Sequence, residues 1–328
     1  MHHDKKFVLF IRVATCNSRG TADYSTERPV SDPRTHAPFT CRRLSADDIP
    51  AAQRLSAAIG WPHRREEWRF SARTGIGFVA EVAGALVGTV IGWKFGADHA
   101  TLGMLLVSPE HRGAGIGRAL LTRALDELGE RDITLYSTES GRPLCDAFGF
   151  VACGELDQMQ GAAFRPPLVA LPANERLRPL GASDAAQFVA LASRASGLDR
   201  SEVLPPLLDL ADGIALDRDG ELLGFSLFRR FGRGFMIGPV IAGDTPDAVH
   251  AKALIRHWLA LNEGALVRID VPHGHGLRTW LSGLGIVRSE TVVKMQRLGS
   301  TPRDTRNTEA GRVDGGLHQY AVITQSLA

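Results

Sequence analysis

Apolar and polar residues alternate along this chain in two long, matching series. In the first, a short strand at Cys41–Leu44 precedes a helical pattern at Ile49–Ile59, where Ala and Leu recur at helical spacing behind Ser and Asp residues. A second helical segment spans Arg65–Ala72, and strand patterns follow at Gly77–Val82, Ala85–Phe95 and Ala100–Val107. A helix at Gly115–Leu128, a β-rich run at Ile133–Ser137, a short helix at Arg142–Phe148 and a closing strand complete the series. The second series repeats this order. It runs through Leu177–Leu180, Ala185–Ala195, Glu202–Leu210, Gly213–Leu216, Leu222–Phe231, Gly234–Ile241, Asp247–Leu261, Leu266–Val271 and Leu277–Leu284 to its own closing strand. Ala83-Gly84 and Asp219-Gly220 suit the hairpin turns at matching places.

The match extends to single residues. Leu86-Val87-Gly88 aligns with Leu222-Leu223-Gly224 at an offset of 224 − 88 = 136, and the same offset joins Asp48 to Asp184 and Gly149 to Gly285. The pattern predicts an α/β (α+β) protein of two tandem, similar domains, each a mixed, mostly antiparallel sheet flanked by helices. Residues 39–165 and 174–328 are the expected domains, with 166–173 as linker. Residues 1–38 lack periodicity and read as a flexible N-terminal extension, 299–316 as a polar loop, and Gln319–Gln325 as a final strand returning to the second sheet.

Composition narrows the function classes. Basic and acidic residues nearly balance, 38 against 36, so no polyelectrolyte surface points to nucleic acid. No apolar run reaches the ~20 residues of a membrane-spanning helix. The four cysteines have neither zinc-ligand spacing nor the pattern of a disulfide framework. His273-Gly274-His275 lacks further ligands, so no metal is expected. A cytoplasmic protein with reduced thiols, monomeric or homodimeric, is the expectation.

The candidate chemistry lies in Arg112-Gly113-Ala114-Gly115-Ile116-Gly117-Arg118, between an apolar strand and a strongly helical run. Glycines allow a tight turn that gathers backbone N–H groups, and the helix start adds free N–H groups and a positive dipole end, a site suited to a diphosphate. A Rossmann fingerprint has different glycine spacing, and a P-loop requires Gly-Lys-Ser/Thr, which is absent.

With Gly103-Met104-Leu105-Leu106-Val107-Ser108-Pro109 before it and Pro143-Leu144-Cys145-Asp146-Ala147-Phe148-Gly149-Phe150 after it, this loop resembles that of the GNAT acetyltransferase superfamily. The second copy, with Ile237-Gly238-Pro239-Val240 and Arg268-Ile269-Asp270-Val271-Pro272, resembles the C-terminal domain of a tandem bacterial subfamily. The resemblance implies an acetyl-CoA-dependent N-acetyltransferase with a fourth strand that splays from its neighbour. Leu105, Leu106 and Val107 would then meet the pantetheine arm, and Arg112, Gly113, Ala114, Gly115, Ile116, Gly117 and Arg118 the pyrophosphate, with Thr138 nearby. Cys145 stands where many members carry the tyrosine that protonates the leaving thiolate, a departure that leaves water as an alternative acid. Tyr136, on the predicted strand, reads as packing.

For the base, Glu139 after the fifth strand is the first candidate, with Asp98 and His99 behind it, while Asp157, Gln158 and Gln160 on the closing strand could face the acceptor or form its polar side. The second copy carries Asp244 and Asp247 in place of the glycine-rich loop, which would repel a pyrophosphate, so one acetyl-CoA per chain is expected. Arg229, Arg230, Arg233, Asp270, His273 and His275 of that copy are candidates for a wall of the acceptor pocket. A small-molecule amine is favoured over a protein as acceptor. The rival reading is a non-catalytic acyl-CoA-binding or sensing protein.

Overall fold

The computed structural model describes residues 38–299 and 316–327. The extension at 1–38, apart from its last residue, and nearly all of the loop at 299–316 lie outside the described residues. The first copy contributes β1 (Phe39–Arg43), α1 (Ile49–Ala58), α2 (Arg65–Thr74), β2 (Ile76–Val82), β3 (Ala85–Phe95), β4 (His99–Val107), α3 (Ile116–Leu128), β5 (Asp132–Ser137), α4 (Arg142–Ala147) and β6 (Val151–Ala162). The second contributes β7 (Glu175–Pro179), α5 (Ala185–Ser196), α6 (Leu204–Leu208), β8 (Ala211–Arg218), β9 (Glu221–Phe231), β10 (Gly234–Gly243), α7 (Val249–Leu261), β11 (Leu266–Pro272), α8 (Leu277–Gly283), β12 (Val287–Arg297) and β13 (Leu317–Ala321).

The described residues form one compact unit. A continuous sheet of order β1-β2-β3-β4-β5-β12-β6-β11-β10-β9-β8-β7 runs through it, antiparallel except where β4 meets β5 and β10 meets β11. In this order the two copies exchange their closing strands, which the boundaries drawn from sequence do not anticipate. β12 pairs with β5 of the first copy, and β6 pairs with β11 of the second. The exchanged strands also pair with each other, Val287 opposite Gln160 and Met295 opposite Ala152. Side chains follow the exchange. Met159 of β6 is fully buried under α7 and α8, and Met295 of β12, 136 residues on, is fully buried under α3. Gly161 permits the crossing, since a Cβ there would fall 2.3 Å from the Gly285 carbonyl oxygen.

A third core joins the copies on the opposite face of the sheet. Trp68, Phe70 and Trp93 of the first pack with Phe188, Leu191 and Phe225 of the second, and Ile323 and Leu327 of the C-terminal tail enter the same cluster. Each copy turns from its first strand into its first helix around the same ion pair. Arg42 grips Asp48 through two bonds of 2.7 and 2.8 Å, and Arg178 grips Asp184 through bonds of 2.7 and 2.9 Å.

Candidate active site

The glycine-rich loop has the backbone that its sequence requires. Gly113 and Gly115 hold φ of +84° and +83°, a left-handed region costly for a residue with a Cβ, and Gly115 caps the N-terminus of α3. The amides of Gly113, Ala114, Gly115, Ile116, Gly117 and Arg118 donate to no acceptor among the described residues, and the first inward bond of the helix runs from Ala119 N to Gly115 O at 3.0 Å. Six consecutive free donors at a helix mouth make an anion cradle. Beside it, His111 keeps a buried Nδ1 with no partner among the described residues, and Arg118 lies over the Phe148 ring at 5.3 Å. Arg112 is exposed and donates from Nε to the Val107 carbonyl at 3.3 Å.

The cradle adjoins an open wedge. β4 and β5 pair only from His99 to Leu102, and beyond this β4 stays with β3 alone. A register shift between Thr89 and Ile91 accompanies the split, with Met104 at φ +52° and its carbonyl held by Thr89 Oγ1 at 2.7 Å. Ser108 N bonds Val87 O at 2.8 Å and Leu106 lies opposite Thr89, so ladder alternation turns the Leu106 backbone toward β3. The backbone groups of Leu105 and Val107 therefore face the wedge, while Leu106 contributes a buried side chain beneath it.

From the wedge a cavity of about 640 Å³ extends into the junction of the two copies. Leu105, Thr138 and Cys145 line it on one side and Phe231, Arg233 and Arg268 on the other, and Thr324, Gln325 and Ser326 of the C-terminal tail cross it. That tail is pinned at both ends by buried arginines. Arg229 donates to Ile323 O and Arg200 to Leu327 O, both at 2.5 Å, while Thr101 Oγ1 bonds Ser326 O at 2.7 Å.

The structure separates the residues singled out from sequence. Cys145 is buried on the cavity wall, its thiol 3.9 Å from Ser137 Oγ, and burial pushes its pKa up. Thr138 also lines the cavity, its hydroxyl 3.2 Å from Ser140 Oγ. Glu139 does not line it: this carboxylate sits exposed in the turn between β5 and α4. Asp98 and His99 are at the paired end of β4, away from the wedge. Strand alternation divides the closing-strand candidates, bringing Gln158 and Gln160 to the cavity and burying Asp157 against Thr291, Arg278 and His273. Of the six residues proposed for the second copy's wall, Arg233 alone lines the cavity.

Among the cavity residues that the sequence did not assign to the site, three bear directly on its chemistry. Tyr136, taken as packing, lines the cavity, and its hydroxyl has no bonded partner among the described residues. Burial first, and the Asp270 and Cys153 charges after it, push its pKa well above the ordinary phenol value. His63, in the connection between α1 and α2, keeps Nδ1 buried without a partner among the described residues. Burial, reinforced by Arg268 and Arg229, lowers its pKa to about 3, so the imidazole is neutral at physiological pH. Arg268 on β11 is the third. No spacing rule marks His63, whereas Arg268 and Asp270 interrupt an otherwise apolar strand at alternate positions.

Comparison with known proteins places both halves. A family model described as Acetyltransferase (GNAT) family matches residues 46–150, and one described as Acetyltransferase (GNAT) domain matches 188–309. The chain is a tandem of two GNAT domains. It is 27% identical over 291 residues to the uncharacterized N-acetyltransferase YitH of Bacillus subtilis, covering 87% of this chain and 97% of that one. A crystal structure from Pyrococcus horikoshii, assigned as an acetyltransferase, shares the fold at a TM-score of 0.67 and 19% identity, with 92% of this chain and 99% of that chain covered. A tandem GNAT protein from the clavulanic acid biosynthesis pathway shares it at 0.60 and 19%, with 81% and 100% covered.

In the C-terminal GNAT domain the corresponding features differ. β10 and β11 also separate after Ile237, but β13 pairs with β10 at Val240–Gly243 and runs along the edge that the parting leaves free. Ahead of α7, Asp244 N bonds Gly316 O at 2.9 Å and Ala248 N bonds Thr245 O at 2.9 Å. The Asp247 carboxylate is held by Lys252.

Proposed function

We propose that the N-terminal GNAT domain is an acetyl-CoA-dependent N-acetyltransferase that takes a small-molecule amine as acceptor, and that the C-terminal domain walls its pocket without binding acetyl-CoA. The observation that carries this reading is the run of six unpartnered amides, Gly113 to Arg118, beside the open wedge of β4 and β5. Main-chain donors in that geometry suit the linked phosphates of CoA, with Arg112 and Arg118 as flanking charges. An extended pantetheine arm fits along the unpaired edge of β4, where the Leu105 and Val107 backbone groups can hydrogen-bond it and polarise a thioester carbonyl.

Transfer requires a neutral amine, and deprotonating a lysine-like amine of pKa ~10.4 at pH 7 costs about 4.6 kcal/mol. His63 is on the cavity wall, but burial beside Arg268 and Arg229 makes it a weak proton acceptor, so water in the cavity is the route by which the amine proton leaves. The departing thiolate needs a proton in return, and Tyr136 and Cys145 both hold theirs at neutral pH. Tyr136 is the favoured donor, because its hydroxyl is otherwise unused and Cys145 is packed into the core beneath α3.

Calorimetric titration with acetyl-CoA tests the reading. Gly115→Glu puts a carboxylate at the mouth of the cradle, on a backbone that no side chain prefers, and is expected to weaken binding by about a hundredfold or more. Unchanged affinity would remove the loop from the site. A non-catalytic acyl-CoA sensor would instead bind the thioester and release no CoA with any amine.

A further inference from the structure

The cavity reads part of its acceptor as well as its donor. We infer that the acceptor is an amine carrying a carboxylate, an amino-acid-like molecule whose anionic end is bound by Arg268. The inference rests on the transferase reading above and names its substrate class.

Arg268 is a locked cation. Its Nε and Nη2 each donate to Asp270 at 2.7 Å, its guanidinium lies 5.1 Å over the Phe231 ring, and its side chain is only 12% exposed. Nη1 has no partner among the described residues, and Arg268 is on the cavity wall, so one edge of a rigid, pre-oriented donor remains for a ligand. Asp270, fully buried, fixes the guanidinium in place. A guanidinium presented in this way favours a planar anion, and Lys or water would not reproduce its geometry.

Two further observations agree. Gln325 on the tail holds a buried Nε2 with no partner among the described residues, and it lines the same cavity, adding a donor where an acceptor oxygen is wanted. The cavity wall carries Arg233, and Arg268 paired with the buried Asp270, while the acidic lining residue Glu290 is exposed. Such a wall offers no buried carboxylate among its described lining residues to hold a polyamine or a polycationic sugar, whereas a zwitterion can place its anionic end on Arg268. Phe231 and Trp61 supply an apolar surface for the body of the molecule.

The test compares matched acceptors on the intact protein, with CoA thiol release as the readout. Each common amino acid is presented beside its primary amide and the corresponding amine that lacks the carboxyl group. The best acceptor is expected to be a free carboxylate, with kcat/KM about tenfold to a hundredfold above its two neutral counterparts. Arg268→Lys keeps the charge but not the fork, and is expected to bring that ratio to within about threefold in whatever activity remains. The ratio is internal to each protein, so a loss of stability in the variant does not imitate the result. Turnover of carboxyl-free amines at equal or greater efficiency by the unmodified protein overturns the inference and leaves the transferase reading standing. Release from no acceptor at all overturns both.

Discussion

The two GNAT domains start from one plan and treat the same place in the sheet differently. In each, two neighbouring strands run parallel for a few residues and then part. In the N-terminal domain the gap between β4 and β5 stays open, and six free amides stand at its mouth. In the C-terminal domain the chain's own last strand, β13, runs along the matching edge of β10, and Asp244 and Asp247 occupy the loop ahead of α7. A backbone edge left unpaired inside a protein is costly. One copy answers that cost with a strand of the same chain, and the other leaves the edge open beside the free amides. The tail then continues from β13 into the first domain's cavity, so the filling of one gap also furnishes the other with Thr324, Gln325 and Ser326.

Removing residues 316–327 is the harshest test of this division of labour. It takes away the buried Leu317, Tyr320, Val322, Ile323 and Leu327 and removes the Ile323 and Leu327 carbonyls to which Arg229 and Arg200 donate. At ~1.5–3 kcal/mol for each apolar side chain, the loss is comparable to the whole stability of a typical protein. Truncation is expected to abolish a cooperative thermal transition by circular dichroism. If the two copies support each other equally, Met159→Ala and Met295→Ala, at equivalent places in the two exchanged strands, each cost about 2–5 kcal/mol in urea unfolding.

Tyr136→Phe sharpens the contrast between the open wedge and its filled counterpart at the level of chemistry. With the phenol as proton donor, kcat for CoA release falls about a hundredfold while acetyl-CoA affinity holds. Cys145→Ala, a core change, moves kcat by less than about threefold.

A modest effect on stability comes from what the copies kept in common. The Arg42 guanidinium holds Asp48 down at about 2, and Arg178 likewise lowers Asp184. A depressed carboxylate contributes stability above its unfolded pKa near 3.8 and loses that contribution as pH falls through the folded value. Stability is therefore expected to decline below about pH 4. Asp48→Asn or Asp184→Asn flattens part of that decline and costs about 1–2 kcal/mol at neutral pH, read from melts across a pH series.

The sequence carried the architecture well, because helical and strand periods survive in single residues and the repeat of 136 shows at Gly88 and Gly224. The cradle was legible for the same local reason: two glycines at positive φ and a helix start lie within a few residues of each other. The strand exchange was not. β6 and β12 carry equivalent patterns at the same offset, so either strand satisfies either sheet, and which one it joins is decided by the tertiary fold. The pocket was hidden in a similar way. His63, Arg268 and Gln325 come from three distant segments and line one cavity only where the copies meet. Glu139 falls outside the cavity lining because a carboxylate after a strand end is as suitable in a solvated turn as in a cleft.

The exchange of β6 and β12 also decides how this molecule can be taken apart. A polypeptide cut between the GNAT repeats has no counterpart in the folded protein, since each fragment would carry away its partner's last strand and lack its own. Calorimetry of the intact chain should then show a single endotherm, and acetyl-CoA should slow amide exchange in β11 as well as in β5. Two half-genes expressed together could rebuild the molecule only by finding each other in solution. The covalent join replaces that bimolecular search with an encounter at the effective concentration set by the linker.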